Sequence, residues 1–324
     1  MAWTRRGLLA GTAGLLGMAL ASPVRARNGD AQAVESRAFG TYWLLRLAGE
    51  VDPVPVTAAI EAVVTRIDAA MSPYRADSEI SRFNRLEGGE LAASPALCAV
   101  AGEGLRLARL SAGAFDPTVG PLVHRYGFGP IEGGRARFEE LSVGAASIGK
   151  SRAGVTMDLC GIAKGYALDQ MIDAVVGLGV TDAMIELGGE VRAIGRHPTG
   201  RAWQVAVEDP RVGSTGLLHV LDPAGWALAT SGDRAQSYGL GSKRYGHIID
   251  PRRDGPARGD IASVTVLAPT AMEADGLATA LAVLGPEAGV ALCERLGRPA
   301  LFVLHEGEGL RQIMAADFAR FMLT

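Results

Sequence analysis

The sequence is poor in cysteine and histidine. Its three cysteines, Cys98, Cys160 and Cys293, lie far apart among 324 residues and form no CxxC pair. They therefore cannot build a disulfide framework, and they do not have the spacing of a zinc site. Only five histidines are present, which leaves few candidates for a base that works near neutral pH.

The sequence also lacks an excess of positive charge. It contains 32 lysines and arginines against 35 acidic residues, a net charge of −3. Three of the arginines, and none of the acidic residues, lie in the first 26 positions, so the remainder carries 29 basic and 35 acidic residues. A basic face for nucleic acid is therefore not expected.

No apolar run is long enough to span a bilayer. Arg5 and Arg6 precede an uncharged run at residues 7–21, and Val24-Arg25-Ala26 resembles a cleavage site. The order Thr-Arg-Arg-Gly-Leu-Leu from residue 4 looks like a twin-arginine signal. We expect a signal peptide at 1–26, a linker at 27–33 and one domain at 34–324. The protein would then be soluble and periplasmic, without a lipid-anchor cysteine; the alternative is a basic start before a buried helix.

Helical and strand patterns are mixed without strict alternation. The composition, 48% hydrophobic, is ample for a large core. Periodicity predicts helices at 54–71, 95–110, 270–284 and 287–296, and strands at 39–47, 183–187, 191–194, 203–207, 217–221, 226–230, 261–267 and 301–304. These elements indicate an α+β fold with mixed or antiparallel sheets flanked by helices.

The segment at 156–171, TMDLCGIAKGYALDQM, combines a lysine with two glycines. A strand ending near residue 157, a turn with Gly161 and Gly165 around Lys164, and a helix through Leu168 is the simplest prediction. Backbone N–H groups at the start of that helix, together with Lys164, favour an anion such as phosphate. The alternative is a surface lysine beside a helix N-terminus.

The segment at 270–284 contains almost no charge. Asp275 and Thr279 lie one turn apart, opposite a leucine stripe and among alanines, which predicts a helix covered on both sides. A buried aspartate needs a partner. Oxygen ligands at this spacing suit Mg²⁺, although an arginine from elsewhere would also satisfy the carboxylate.

Two further segments contain polar residues that could take part in chemistry. The loop at 113–129, GAFDPTVGPLVHRYGFG, is rich in glycine, proline and aromatic residues, which predicts an ordered loop in which Asp116 could simply form an Asx-type turn. His247, in a β-like run, is the best candidate for a general base, or else a structural histidine.

Eight stretches, in order, resemble the ApbE family of FAD:protein FMN transferases. They are FGTYW, MSPYRADSEISRFN, GAFDPTVGPLV, MDLCGIAKGYALD, IELGGEVRAIG, ATSGD, YGHIIDP and SVTVLAPTAMEADGLATALAVLG. The resemblance covers nearly all of the expected mature chain. It implies an ApbE-like fold and transfer of FMN from FAD to a threonine or serine hydroxyl of a partner protein, with Mg²⁺ and release of AMP.

The resemblance also assigns roles to individual residues. Asp275, Thr279 and the carbonyl of Gly161 match metal ligands, Lys164 matches a lysine that contacts FAD, and His247 matches the base that deprotonates the acceptor hydroxyl. The positions that match flavin contacts are Phe39, Ser72, Pro73, Tyr74, Ala114, Phe115, Asp116 and Ile248. Three residues depart from the family pattern, which usually has methionine at Phe39, glycine at Cys160 and asparagine at Glu186.

The expected partners are FAD and a periplasmic or membrane-anchored acceptor flavoprotein with a Thr or Ser target. No nucleic acid and no stable membrane span are expected. Two alternatives use the same residues: a metal-dependent FAD pyrophosphatase, and a non-catalytic periplasmic FAD-binding protein in which His247 is structural.

Overall fold

The computed structural model describes residues 31–211, 213–232, 237–240, 243–257, 260–307 and 309–323. The predicted signal peptide and the first part of the predicted linker lie outside these residues. The helices are α1 (Pro53–Met71), α2 (Glu79–Asn84), α3 (Pro95–Leu110), α4 (Gly120–Arg125), α5 (Ala163–Gly177), α6 (Ala271–Leu284) and α7 (Pro286–Leu296). Short 3₁₀ helices cover Phe138–Glu140 and Phe318–Phe321.

One antiparallel sheet of eight strands organises this part of the chain. The strands are β1 (Gln32–Ala38), β2 (Thr41–Leu47), β3 (Gly89–Ala92), β4 (Leu141–Val143), β5 (Ser147–Lys150), β6 (Ala183–Leu187), β7 (Glu190–Ile194), β8 (Val205–Glu208), β9 (Leu217–Leu221), β10 (Ala227–Gly232), β11 (Ser237–Leu240), β12 (Lys243–Gly246), β13 (Ile249–Asp250), β14 (Gly255–Pro256), β15 (Ile261–Ala268), β16 (Ala300–Glu306) and β17 (Gly309–Ala315). The large sheet has the order β1-β2-β6-β7-β10-β15-β16-β17, and smaller sheets are β3-β5-β4, β8-β9, β11-β12 and β13-β14. The predicted α+β class is confirmed.

Both faces of the large sheet are covered. Because side chains alternate along a strand, Ala227 and Ala229 of β10 join the main core with α1, α5 and α6, whereas Leu228 joins a second core with β8, β9 and Phe318. All eight residues of β15 are buried, as expected for a strand with both faces covered.

Helix α6 packs between the sheet and helix α5. Ten of its 14 residues are buried, which confirms that the helix is covered on both sides. Thr270 caps it, since its side chain accepts a hydrogen bond from the backbone N–H of Glu273 at 3.2 Å. The helix therefore holds Asp275 and Thr279 in a tightly packed environment.

The predicted strand at residues 155–157 is wrong. No strand is assigned there, because side chains take the backbone groups that a strand would pair. Asn84 both donates to the carbonyl of Met157 at 2.9 Å and accepts from its N–H at 2.7 Å, and Lys150 donates to the carbonyl of Val155 at 2.8 Å. The chain reaches α5 as an extended segment held by these side chains.

Other differences concern the ends of elements and elements that the periodicity did not predict. Strand β1 begins at Gln32, so residues 32 and 33 are strand and not linker. The ordered loop at 113–129 contains the short helix α4, and β17 follows the strand that was expected to be the last one. None of the helices in the described part of the chain has the length and apolar character needed to cross a membrane.

Candidate active site

Two turns and the end of a third strand meet at one end of the large sheet. Phe39-Gly40 joins β1 to β2, and Gly188-Gly189 joins β6 to β7. Because Trp43 of β2 pairs with Leu187 of β6, the two turns lie at the same end. Strand β10 runs antiparallel to β7, with Ala229 opposite Glu190, so Ser231 also lies at this end.

Helices α5 and α6 come into close contact beside this end. A Cβ atom on Gly165 of α5 would overlap the carbonyl oxygen of Ala271 and lie 2.8 Å from the Cβ of Asp275. The backbone N–H of Gly165 donates to Oδ2 of Asp275 at 2.9 Å. Only glycine permits this approach, which brings the first turn of α5 against the buried carboxylate.

Asp275 supplies the anion that the start of α5 stabilises. The sequence pattern predicted an anion at this position, and the structure provides one from the protein itself. Burial raises the pKa of Asp275, while Lys164 and the N–H of Gly165 act to lower it. Among the described residues, the partners of Asp275 are therefore Lys164 and the N–H of Gly165, and not the arginine that the sequence left open.

Three types of oxygen atom that can bind a cation lie around α6. The hydroxyl of Thr279 donates to the carbonyl oxygen of Gly161 at 3.3 Å, and Ser231 Oγ lies 3.5 Å from Thr279 Oγ1. Asp275 lies one helical turn before Thr279. A Cβ on Gly161 would lie 3.2 Å from Thr279 Oγ1, so glycine keeps this approach open.

This donor set fits a hard divalent cation. Among the described residues, no group of three or more His, Cys, Asp or Glu side chains is placed to hold a metal ion. A carboxylate, a hydroxyl and a backbone carbonyl are instead the oxygen ligands that Mg²⁺ accepts, usually together with water and substrate phosphates. An ionised carboxylate can bind a cation with one oxygen while the other accepts a backbone N–H.

Lys164, in the first turn of α5, forms an ion pair with Glu190. The ammonium donates to Oε1 of Glu190, the first residue of β7, whose side chain is 2% exposed. Burial acts to lower the pKa of Lys164, but Glu190 and Asp275 together raise it. Burial raises the pKa of Glu190 to about 8 against the opposing effect of Lys164. One ammonium thus lies near two carboxyl groups.

A second ion pair joins the same helix and strand. Arg192 of β7 donates to Asp169 of α5, which also accepts the backbone N–H groups of Ala271 at 2.9 Å and Met272 at 3.0 Å. Asp169 therefore satisfies two donors at the start of α6. This pair ties α5, α6 and β7 together and keeps Asp275 in register with α5.

The predicted flavin-contacting segment at 72–74 follows α1. The carbonyl of Ser72 accepts hydrogen bonds from Ser78 Oγ at 2.7 Å and Ser81 Oγ at 3.4 Å, which fixes the turn at Pro73. Tyr74 is 72% exposed. Partial burial, followed by Cys160 and Asp158, raises the pKa of its phenol, so Tyr74 lies beside the segment that leads to Gly161.

The second predicted segment, at 114–116, reaches the same place. Asp116 Oδ1 accepts from the N–H of Thr118 at 2.8 Å and from its hydroxyl at 2.7 Å, which confirms the Asx-type turn. The N–H of Asp158 donates to the carbonyl of Pro117 at 2.7 Å. Phe115 is buried next to Gly161, where its ring would lie 3.4 Å from an added Cβ. Ala114 is buried as well.

His247 lies between β12 and β13 and not within a strand. Its ring is 6.4 Å from that of Phe128, in an edge-on arrangement. Ile248 packs against the main core, and its carbonyl accepts from the N–H of Ala257 at 2.9 Å. Phe39, at the β1–β2 turn, has a left-handed φ of 51° and also packs against the core.

The structure thus brings together Gly161, Lys164, Asp275 and Thr279, and it connects segments 72–74 and 114–116 to them through residues 158–161. The ring contact described for His247 is with Phe128, which belongs to the 113–129 loop. Sequence reasoning missed Glu190 and Asp169 as members of the site. A signal for Glu190 was available, since a glutamate directly follows the double glycine between two predicted strands.

The chain is similar to known proteins over most of its length. The model of the ApbE family matches residues 39–302. The FAD:protein FMN transferase of Vibrio cholerae serotype O1 is 35% identical over 289 residues, which are 85% of this chain and 86% of the relative. The protein of the same name from Salmonella typhimurium is 30% identical over 346 residues, covering 100% of this chain and 99% of the relative.

Solved structures show the same fold. The flavin transferase ApbE from Vibrio cholerae superimposes with a TM-score of 0.81 at 32% identity, covering 93% of this chain and 100% of the other. The apo form of the Pseudomonas stutzeri flavinyl transferase ApbE gives 0.80 at 32% identity, with coverage of 90% and 96%.

Proposed function

The chain belongs to the ApbE family, and we propose that it is a FAD:protein FMN transferase that depends on Mg²⁺. It would transfer FMN from FAD to a threonine or serine hydroxyl of an acceptor protein and release AMP. The observation that carries this proposal is the convergence of Asp275, Thr279 and the carbonyl of Gly161 beside Lys164. The oxygen atoms suit a cation, and the ammonium of Lys164 suits the negative charge of a pyrophosphate.

Asp275, Thr279 and Gly161 would hold the metal ion. A divalent cation neutralises phosphate charge and favours attack at phosphorus. The chain itself contributes rigidity, because α6 is buried and Gly165 fixes Asp275 against α5. These ligands therefore need little rearrangement when FAD binds.

Lys164 would contact the pyrophosphate of FAD. An ammonium has three N–H donors, and Glu190 takes one of them, which leaves the others for phosphate oxygens. The exposed ring of Tyr74 and the segments containing Phe39, Ser72, Pro73, Ala114, Phe115, Asp116 and Ile248 would surround the flavin. Tyr74 in particular offers an aromatic face for stacking.

His247 would act as the general base. It takes the proton of the acceptor hydroxyl, whose oxygen forms a bond to the FMN phosphorus. The bond between that phosphorus and the bridging oxygen breaks, and the bridging oxygen leaves with AMP. An alcohol is a weak nucleophile near neutral pH, so a base at this position contributes about 10²- to 10⁴-fold.

The acceptor would be a periplasmic or membrane-anchored flavoprotein. This part of the proposal depends on the twin-arginine pattern at Arg5 and Arg6, which indicates export. A reporter fused after residue 33 should reach the periplasm, and its retention in the cytoplasm would contradict the export route.

Incubation of the protein with FAD and Mg²⁺, with and without an acceptor protein, tests the activity against its rivals. A transferase gives AMP together with flavin bound covalently to the acceptor. Free FMN and AMP without any acceptor would instead identify a pyrophosphatase. FAD binding with no AMP under either condition would identify a flavin-binding protein.

A further inference from the structure

Glu190 has a feature that a purely structural ion pair does not need. Its side chain is almost completely buried, and only one of its oxygens, Oε1, is bonded to Lys164. The other oxygen, Oε2, is buried and has no hydrogen-bond partner among the described residues. A buried polar atom left without a partner destabilises the folded state.

The neighbouring pair shows what a structural pair looks like in this fold. Asp169 and Arg192 come from the same helix and strand, and Asp169 uses both oxygens: Oδ1 for Arg192 and the N–H of Ala271, and Oδ2 for the N–H of Met272. It joins three elements. Glu190 joins only β7 to Lys164, and it does so at the end of α5 that faces Asp275.

A contribution to fold stability therefore does not explain why a buried glutamate occupies position 190. Replacing a buried ion pair with apolar residues is often neutral or stabilising, so such a pair is weak evidence of a stabilising role. What the pair does accomplish is to fix a long, flexible side chain. An unrestrained lysine has many rotamers, and only some of them bring Nζ close to Asp275.

We propose that Glu190 is a positioning residue, which holds the ammonium of Lys164 in the place where it meets the pyrophosphate of FAD. The part of this proposal that concerns catalysis rests on the proposed function. Glu190 itself does not touch the reacting atoms; it acts through Lys164, with Oε1 as the acceptor.

The catalytic part is tested by a double-mutant cycle. Glu190→Leu keeps most of the volume and removes the acceptor, and Lys164→Met removes the amine. Because small misplacements of catalytic groups can cost about 100-fold, we expect Glu190→Leu to lower kcat by about 10- to 100-fold. In the Lys164→Met background it should cause no further loss, because residues that act as a unit are not additive. Glu190→Gln keeps an acceptor oxygen and should stay close to the wild type.

The positioning itself can be measured without FAD. The chain has only three lysines, Lys150, Lys164 and Lys243, so acetylation by an amine-reactive reagent can be followed at each one by mass spectrometry. Lys150 is buried and donates to two backbone carbonyls, which makes it an internal reference. Glu190→Leu should raise the labelling rate of Lys164 severalfold, with Lys150 unchanged.

Arg192→Gln is the matched control, since it breaks the neighbouring pair between the same helix and strand. It should leave the labelling of Lys164 unchanged, because it does not remove the acceptor of the Lys164 ammonium. Should Glu190→Leu fail to fold, Glu190→Asp tests the same point, because the shorter side chain withdraws the acceptor.

Unchanged Lys164 labelling in Glu190→Leu would overturn the proposal, and so would a loss in kcat that adds fully to that of Lys164→Met. An equal loss in Glu190→Gln and Glu190→Leu would overturn the role of Oε1 as acceptor. If the wild-type protein transfers no FMN, the proposed function fails, but the labelling experiment still decides whether Glu190 holds Lys164.

Discussion

Lys164 and Asp275 illustrate how far single residues could be interpreted from the sequence. The lysine in a glycine turn predicted an anion, but the sequence could not say that the nearest anions are the chain's own Asp275 and Glu190. Asp275 comes from a helix more than 100 residues away, and only the packing of α5 on α6 brings the two together. Long-range contacts of this kind leave no local pattern.

Replacement of Asp275 by asparagine should abolish metal-dependent turnover. The amide keeps the shape of the side chain but loses the charge that binds a cation. We expect activity to fall by about 100-fold or more, since a catalytic metal contributes several kcal/mol. The thermal unfolding midpoint should not fall, because burial disfavours the charged form that is removed.

The activity of Asp275→Asn is best titrated with MgCl₂ beside Asp173→Asn, which removes an exposed carboxylate from α5. Wild-type turnover in Asp275→Asn at the same Mg²⁺ concentration would remove Asp275 from the metal site.

Replacement of His247 by alanine should separate binding from chemistry. FAD affinity, measured by quenching of flavin fluorescence, should stay nearly intact, because the proposed pyrophosphate and metal positions lie on and just before α5 and on α6. Transfer to the acceptor should fall by about 10²- to 10⁴-fold. His305→Ala, at an exposed position of β16, is the control. Transfer by His247→Ala at the wild-type rate would show that another group takes the proton.

At the scale of elements, the contact between α5 and α6 aligns the site. Gly165 permits it, and Asp169 reinforces it by satisfying two N–H groups at the start of α6. The longer helices could be predicted from periodicity, and α3 has the predicted bounds of residues 95–110. The conformation of residues 155–157 could not be predicted in this way. Their apolar residues are typical of a strand, but Asn84 and Lys150 form hydrogen bonds with the backbone groups that a strand would pair.

Gly165→Ala should destabilise the protein by overpacking this contact. The added methyl group would overlap the backbone of Ala271, so α5 and α6 must move apart. Overpacking typically costs about 1–3 kcal/mol, and contact with rigid backbone favours the upper part of that range. Urea unfolding monitored by circular dichroism measures the change, and the Mg²⁺ requirement should rise as well.

Gly177→Ala, at the other end of the same helix, is the matched control. A Cβ there would meet nothing within 4 Å, so the substitution should be neutral or slightly stabilising through its effect on backbone entropy. Equal urea midpoints for the two alanine variants would contradict the close contact at Gly165.

At the scale of the whole molecule, several acidic groups are buried with raised pKa values. Burial is the main cause for Glu190, Asp275, Asp158, Asp116 and Asp169. These groups have ordinary pKa values when the chain is unfolded. At pH values above those ordinary values, the folded protein therefore holds more protons than the unfolded chain does. The free energy of unfolding should decrease as pH rises over that range.

For Glu190 the range runs from its ordinary pKa of 4.5 to about 8. Its contribution to stability is fully present below pH 4.5 and is lost as pH rises through 8. Glu190→Gln does not titrate, so the decrease in unfolding free energy between pH 5 and pH 8 should be smaller in this variant. Urea midpoints in metal-free buffer measure both proteins. An identical decrease in both would show that Glu190 does not titrate in this way.

The overall architecture was the part most accessible from the sequence. The α+β class, the longer helices and most strands of the large sheet follow from local periodicity. Strand β17 was missed because its burial alternates irregularly and most of its residues are at least partly exposed. The position of the site at one end of the sheet depends on strand order, which local patterns do not encode.

Intact-mass spectrometry of an acceptor flavoprotein, incubated with this protein, FAD and Mg²⁺, tests the proposed function most directly. The acceptor should gain the mass of one FMN joined through a phosphoester, with one AMP released per acceptor, and the gain should disappear in EDTA or when the target threonine or serine is replaced by alanine. An acceptor of unchanged mass, in the presence of bound FAD and Mg²⁺ and with a relative of the ApbE family modifying it in parallel, would contradict the assignment.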